Sequence, residues 1–277
     1  MLPINTRLRN PRRSLVSSPV SAPVSSYQPF SPLALQPRLW LDASDLTTIT
    51  ESSGAVSEWR DKSGNGYSFT QATSTAQPTT GTTTLNGLNV LSFDGIDDWM
   101  VSTAAASEWK FLHDGTEYLA GLVVRRAVAG VFAAFYSTQI AIGSVQQTGT
   151  RMVFNVANQW GIIIHGLPGV VVANGITSVG TGTSPRVVSA RVSPSASVAN
   201  RLTMALDGGQ PITPNGSNGA LTTNDPYRTL HLGTQATATT GLFNGYMAEL
   251  VFVTGSSVTD LNRQRLHEYL NRKWAVY

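Results

Sequence analysis

Residues 94–99, with the sequence DGIDDW, place three carboxylates and one tryptophan close together. Asp94, Asp97 and Asp98 carry the groups that glycosidases use for acid–base chemistry, and Trp99 offers a flat surface for a sugar ring. The same residues also suit a turn, because an Asp before Gly accepts backbone N–H bonds. We expect the turn, with adjacent Asp97 and Asp98 pointing to opposite faces of an extended chain.

The spacing of all acidic residues tests the enzyme hypothesis. A glycosidase needs two carboxyl groups that flank the scissile bond, and alternate positions of one strand point into the same cleft. No two of the 16 acidic residues are separated by two positions, and no G-x-S-x-G elbow, phosphate loop or H-E-x-x-H motif occurs. The sequence therefore predicts that the chain is not an enzyme, with a glycoside hydrolase as a less favoured alternative.

The stretch DKSGNG raises the question of a metal. Asp61, Ser63 and Asn65 stand at alternate positions, as the first ligands of a calcium loop do. The later bidentate acid of such a loop is missing before Asp94, so an Asx/Gly turn is the other interpretation. We predict no cofactor, and Ca²⁺ at these three residues is the one metal hypothesis.

The tryptophans are candidate sugar platforms. Trp109 and Trp160 lie near expected loops, so either an exposed glycan-binding surface or core packing fits them. Core packing is expected for the tryptophans that flank the strongest strand patterns, which are Trp40, Trp59 and Trp274.

The body of the chain, residues 39–277, has the pattern of an all-β domain. Short apolar runs such as LWLDA, NVLSFDG and RLTMALDG alternate with turn signals such as SGNG and DGG. In RLTMALDG, Leu202, Met204 and Leu206 share one face, whereas YMAELVFVTG lacks strict alternation and is expected to be buried on both sides or bulged. The sequence contains no cysteine, so no disulfide can staple the fold.

One helix is expected at the C-terminal end, over residues 258–274. Ser257 and Asp260 resemble a capping box. An apolar stripe at helical spacing is expected to pack on the sandwich, and it comprises Leu261, Leu266, Tyr269, Leu270 and Trp274.

Residues 1–38 differ in composition from the body. They contain seven prolines and five arginines but no acidic residue, although the whole chain carries a net charge of only +3. Such a segment cannot form a helix or a core of its own, so we expect an extended arm. We expect Arg7, Arg9, Arg12 and Arg13 to dock on neighbouring subunits rather than on nucleic acid, because interleaved aromatics and lysine clusters are missing.

Several motifs together resemble a known family. LWLDASD, WRDKSGNGYSFTQ and LNGLNVLSFDGIDDWM, followed near the end by FNGYMAELVFV and a helix ending in KW, are similar to laminin-G-like, concanavalin A-like jelly-roll domains. The resemblance covers roughly residues 38–277 and implies a two-sheet jelly-roll sandwich with one C-terminal helix. It implies little about function, because this fold hosts lectins, adhesins, glycosidases and structural modules.

The expected function is that of a structural or attachment protein of a bacteriophage virion. The arm would dock on other virion subunits as a homo-oligomer or a hetero-assembly, and the sandwich would face outward and bind host-surface glycans. The N-terminal residues lack the apolar run of a secretory signal, and no apolar run is long enough to span a membrane. The alternative is a free bacterial carbohydrate-binding lectin.

Overall fold

The computed structural model describes residues 29–142, 145–167, 170–177, 182–193, 201–213, 220–235 and 239–277. Within these residues the chain forms two large antiparallel sheets and one α-helix near the C-terminal end. The predicted class, an all-β two-sheet sandwich with one C-terminal helix, is confirmed. No helix in the described parts has the length and apolar character needed to cross a membrane.

The smaller sheet has six strands. Their bounds are β1 (Leu39–Asp42), β7 (Leu91–Asp94), β9 (Tyr118–Arg126), β16 (Arg186–Val192), β17 (Leu202–Leu206) and β19 (Asn244–Thr254). The order is β1-β19-β9-β16-β17, and β7 also pairs with β19.

The larger sheet has nine strands in the order β15-β14-β13-β10-β18-β8-β4-β3-β2. Their bounds are β2 (Ile49–Ser52), β3 (Ala55–Arg60), β4 (Ser68–Thr70), β8 (Met100–Ser102), β10 (Ala133–Ser137), β13 (Gly149–Phe154), β14 (Trp160–Leu167), β15 (Val170–Thr177) and β18 (His231–Leu232). Two short hairpins lie outside both sheets, and they pair β5 (Thr84–Leu85) with β6 (Leu88–Asn89) and β11 (Ala141–Ile142) with β12 (Val145–Gln146).

The main core fills the space between the two sheets, because its buried side chains come from both. Leu202, Met204 and Leu206 of β17 all join it, which confirms the face predicted from their alternation. Strand β19 is buried along almost its whole length and carries a bulge between Met247 and Glu249, as its irregular pattern predicted.

Helix α1 (Asp260–Trp274) creates a second core on the outer face of the smaller sheet. Leu266 and Leu270 pack there, and Gly121 of β9 allows the close approach, since a Cβ at Gly121 would lie 2.6 Å from Leu266 Cδ2. The smaller sheet is therefore covered on both faces, whereas α1 leaves the outer face of the larger sheet uncovered.

Two details of the helix differ from expectation. The N-cap is Thr259, whose hydroxyl accepts a hydrogen bond from the Asn262 N–H, so the Ser257 capping box is wrong. Leu261 is 57% exposed, and Arg263 and His267 are buried instead. The predicted apolar stripe included a position that the sheet does not cover. Arg263 and His267 take buried positions on the helix because polar groups on the sheet form hydrogen bonds with them.

The described part of the expected arm, residues 29–38, packs on the chain's own body. Pro32–Leu35 form a short 3-10 helix in which Leu35 is buried, and Phe30 packs edge-on against Tyr269 of α1. The body therefore extends upstream of the predicted boundary at residue 38. Arg7, Arg9, Arg12 and Arg13 lie outside the described residues.

Candidate functional site

The segment Asp94–Trp99 forms a fixed turn between β7 and β8. Asp94 Oδ1 accepts hydrogen bonds from the Ile96 N–H at 2.7 Å and the Asp97 N–H at 3.3 Å, as expected for an Asx turn. Asn244 Nδ2 donates to the Asp94 carbonyl at 2.7 Å. Gly95 has a φ of +75°, and a Cβ there would lie 2.6 Å from Asn244 Cβ, so glycine is required at this position.

This turn brings three carboxylates together. One oxygen from each of Asp94, Asp97 and Asp98 lies within 4.8 Å of the others. Asp98 is 5% exposed, and its Oδ2 accepts the Asp94 N–H at 2.8 Å. The expectation that Asp97 and Asp98 point to opposite faces is wrong, because the backbone bends at residues 95–97 rather than staying extended.

The electrostatics of the cluster follow from burial without a cation. Burial raises the pKa of Asp98 to about 7, and the charges of Asp94 and Asp97 add to the effect, although the Asp94 N–H bond opposes it. Among the described residues, no lysine or arginine forms an ion pair with any of the three. Near neutral pH, Asp98 therefore exchanges a proton beside the carboxyl groups of Asp94 and Asp97.

Trp99 is the one tryptophan of the six, all of them described, that is partly exposed. Its ring stacks on His231 of β18 with centroids 5.5 Å apart and an interplanar angle of 23°. Burial lowers the pKa of His231, so a neutral imidazole supports the indole. The neighbouring Leu232 belongs to the main core, and side chains alternate along a strand, so His231 and Trp99 lie on the outer face of the larger sheet.

The backbone of Trp99 is held by the neighbouring loop. The Trp99 N–H donates to the Ala76 carbonyl at 3.2 Å, and the Trp99 carbonyl accepts a hydrogen bond from Gln71 Nε2 at 3.1 Å. Residues 72–75 of that loop are exposed. The indole is therefore a fixed surface just before the start of β8 in the larger sheet.

The glycan platform predicted at Trp109 and Trp160 is corrected by their burial. Trp109 has no exposed surface, and its Nε1 donates to Thr229 Oγ1. Trp160 is 2% exposed and stacks on Phe135 with centroids 5.0 Å apart. Both belong to the main core, because positions near a loop in sequence can still point inward between two sheets.

The metal hypothesis at Asp61, Ser63 and Asn65 does not fit the structure either. Asp61 Oδ1 accepts the N–H groups of Trp40 and Ser63, both at 2.8 Å, and its Oδ2 accepts the Ser63 hydroxyl. Asn65 turns its Nδ2 toward the Ser63 hydroxyl and the Pro37 and Arg38 carbonyls. A ligand must offer oxygen to Ca²⁺, and here the oxygens are occupied and Asn65 presents a donor.

A second group of carboxylates lies on the other side of the smaller sheet and is saturated with partners. Glu249, with no exposed surface, accepts the indole N–H groups of Trp40 and Trp274, each at 2.7 Å, and the Lys273 ammonium at 2.8 Å. Lys273 also donates to Asp42 at 2.6 Å. We call these five residues the Glu249 network.

The Glu249 network explains why the motifs of the family resemblance occur together. LWLDASD supplies Trp40 and Asp42, MAEL supplies Glu249, and the terminal RKW supplies Lys273 and Trp274. Burial, with Asp42 nearby, raises the pKa of Glu249, while Lys273 opposes the rise. The network clamps α1 to the smaller sheet and faces no opening in the described residues.

Comparisons with known proteins agree on the fold. No family model and no curated protein matches the sequence. Trypanosoma rangeli sialidase, in complex with 2,3-difluoro-KDN, is similar over 85% of this chain and 32% of its own, with 11% identity and a TM-score of 0.53. Its complex with sialic acid matches with 12% identity and a TM-score of 0.52, over 85% of this chain and 33% of its own.

A toxin domain shares the same architecture. The binding domain of botulinum neurotoxin DC, in complex with rat synaptotagmin II, is similar over 87% of this chain and 52% of its own, with 10% identity and a TM-score of 0.55. The chain thus spans about a third of the sialidase chains and about half of the toxin chain. At these identities the likeness shows the β-sandwich fold alone.

These comparisons correct one prediction. The sequence predicted that the chain is not an enzyme, yet the structures similar over 85% of it are sialidases, which are enzymes. The spacing test covered only carboxylates on a single strand, so it could not detect acids that a turn brings together. The cluster at residues 94–98 is built by a turn, which places acids three and four positions apart within 4.8 Å.

Proposed function

We propose that this chain is an attachment protein whose sandwich binds carbohydrate at the surface around Trp99. The observation that carries the proposal is the partial exposure of Trp99 on a ring stack with His231. An indole held in this way offers an apolar face to the C–H groups of a sugar ring. Asp97, half-buried beside it, is placed to accept hydrogen bonds from sugar hydroxyls.

Two further facts support carbohydrate as the ligand class. Helix α1 packs on the smaller sheet and not over Trp99, whose ring is partly exposed. A similar sandwich occurs in a sialidase whose structure contains sialic acid. The finer family, laminin-G-like and concanavalin A-like, rests on the motifs that meet in the Glu249 network.

The test is glycan-array binding by the full chain and by Trp99→Ala. We expect the affinity of the variant to fall about tenfold to a hundredfold, as when an aromatic anchor is removed from an interface. Each tenfold loss corresponds to about 1.4 kcal/mol. Tyr277→Ala, another exposed aromatic, on the α1 side, is the matched control and should bind as the parent chain does. Equal binding by Trp99→Ala would contradict the proposal.

We also propose that the arginine-bearing part of residues 1–38, upstream of the segment that packs on the body, anchors the sandwich on a larger assembly, specifically a bacteriophage virion made in the host cytoplasm. Support comes from the arginines at positions 7, 9, 12 and 13 in a segment that contains no acid. Sedimentation of the full chain at rising concentration, beside a variant with these four arginines changed to glutamate, tests the anchoring. Self-association that is lost in the variant is expected, and identical behaviour of the two chains argues against it.

One observation favours a second function, glycoside hydrolysis at the turn. Burial raises the pKa of Asp98 to about 7, so it can donate a proton, and a carboxylate oxygen of Asp94 lies within 4.8 Å, where a retaining enzyme has its second acid. The low exposure of Asp98 ranks this function second, because a substrate must reach its carboxyl group. Sugar release by the full chain that disappears in Asp98→Asn supports it, and no release contradicts it.

A further inference from the structure

A row of side chains crosses the outer face of the larger sheet beside Trp99. Arg151 of β13 lies opposite Ser137 of β10, and Ser137 lies opposite His231. Two strand spacings, about 10 Å, therefore separate the backbones of Arg151 and His231. Their neighbours Met152 and Leu232 belong to the main core, so Arg151 and His231 both point outward.

A second arginine lies closer to the stacked rings. Arg228 is exposed, and its guanidinium carbon is 5.6 Å from the ring centroid of Tyr227, which is 46% exposed. Besides burial, the charge of Arg228 contributes to the lowered pKa of His231, so this guanidinium acts on the ring that supports Trp99. Its own backbone is held by a bond from the Arg228 N–H to the Thr138 carbonyl at 3.1 Å.

Neither arginine is neutralised within the part of the chain that the structure describes. No ion pair joins Arg228 or Arg151 to a described carboxylate. Arg151 donates from one terminal nitrogen to Gln146 Oε1 at 3.2 Å, and its buried Nε has no hydrogen-bond partner. The exposed Arg228 therefore adds positive charge near the stack of Trp99 on His231, whereas Arg151 is partly buried and separated from His231 by the fully buried Ser137.

We propose that the surface around Trp99 takes an anionic sugar, whose carboxylate or sulfate group binds the guanidinium of Arg228, with Arg151 farther along the same face. This inference rests on the proposed carbohydrate-binding function and adds the charge class of the ligand. A guanidinium presents a planar fork of donors that matches a carboxylate or a sulfate with two parallel hydrogen bonds.

The opposite side of the platform fixes the orientation of the ligand. Asp94 and Asp97 belong to the turn that leads into Trp99, and their like charge repels an anionic substituent. The hydroxyl groups of the sugar therefore face the turn, and the anionic group faces Arg228. A neutral sugar keeps the stacking contact but lacks the second anchor.

The experiment uses an array that carries each oligosaccharide backbone in neutral, sialylated and sulfated forms. It compares the full chain with Arg228→Gln and with Arg265→Gln, which changes an exposed arginine on α1. We expect the parent chain and Arg265→Gln to bind the anionic forms about tenfold more tightly than the neutral form. Arg228→Gln should lose that preference and keep its affinity for the neutral form.

Salt sharpens the comparison, because exposed charge pairs weaken as ionic strength rises. The preference for anionic forms should shrink when the salt concentration is raised about tenfold, from about 50 mM to about 500 mM, because the screening length shortens. The sialylated and sulfated arms show which anionic group the surface accepts.

The outcomes separate this inference from the proposed function. Equal binding of neutral and anionic forms by the parent chain overturns the anionic anchor while the carbohydrate proposal stands. An anionic preference that survives in Arg228→Gln, or an equal loss of neutral and anionic sugars in that variant, also overturns it. Absence of any glycan binding by the parent chain overturns the carbohydrate proposal itself.

Discussion

The Glu249 network and the Asp94–Asp98 turn both bring carboxylates together, yet the protein treats them differently. Every oxygen of Glu249 and Asp42 meets a donor, and Lys273 joins the two acids. Asp94 and Asp98 accept backbone N–H groups but pair with no described cation, and a partly exposed tryptophan follows the turn.

The difference teaches how to separate structural acids from candidate functional acids. A buried carboxylate whose oxygens already accept indole N–H groups and an ammonium has no acceptor left for a ligand, although burial raises its pKa. A buried carboxylate without a cation nearby also has a raised pKa, and it remains available for proton exchange. Residue types alone do not distinguish these two cases.

Glu249→Gln should give the largest effect. The amide keeps one acceptor but turns its NH₂ group toward one of the two indole N–H donors, and it leaves Lys273 with one buried counter-charge instead of two. We expect a loss of about 3–5 kcal/mol in the free energy of unfolding, as when one partner of a buried ion pair is removed. Denaturant unfolding measures it.

Glu268→Gln, an exposed position on α1, is the control for that measurement and should stay within about 0.5 kcal/mol of the parent chain. A Glu249→Gln variant as stable as this control would show that the network does not clamp the helix.

Asp98→Asn should change the pH dependence of stability. The folded pKa of Asp98, about 7, lies above its ordinary value of 3.8, so its contribution is fully present below pH 3.8 and is lost as the pH rises through 7. Asparagine keeps the acceptor for the Asp94 N–H and does not ionise. Relative to the parent chain, the variant should therefore gain stability between pH 4 and pH 8.

Thermal unfolding of both chains over that pH range, in one buffer system, measures this difference. Curves that stay parallel from pH 4 to pH 8 would show that Asp98 titrates as an ordinary carboxyl group, and the contrast with the Glu249 network would then disappear.

Asp97→Asn should have the smallest effect on stability, within about 0.5 kcal/mol, because the side chain is half-buried and accepts no hydrogen bond in the described structure. Its charge raises the pKa of Asp98, so removing it should lower the Asp98 titration midpoint. Carboxyl NMR titration measures that midpoint. An unchanged midpoint would mean that the charge of Asp97 does not contribute to the pKa of Asp98.

Parts of the fold could be read from local patterns. The alternation in RLTMALDG placed Leu202, Met204 and Leu206 in the core, and the irregular pattern of YMAELVFVTG predicted the burial and bulge of β19. Asp94 before Gly95 predicted the turn, because an Asx turn depends on a few adjacent residues only. These features depend on neighbours in sequence, which is why they were predictable.

The candidate site was less predictable. Trp99 was noticed, but the sugar platform was assigned to Trp109 and Trp160, which turn inward. No pattern near Trp99 reveals that His231, more than a hundred residues away, supports its ring. Arg151 and Arg228 carried no sequence signal at all, since strand pairing places Arg151, and a backbone bond to Thr138 places Arg228, relative to His231.

The sequence by itself determined a cysteine-free β-sandwich with one terminal helix and a turn at Asp94, because strand alternation, helical periodicity and glycine turns are local properties. Only the tertiary structure decided which acids are neutralised and which tryptophan reaches solvent. The pairing of β10, β13 and β18 sets the neighbours of each side chain across the sheet, and burial sets the pKa of Asp98. Both depend on contacts between residues far apart in the chain.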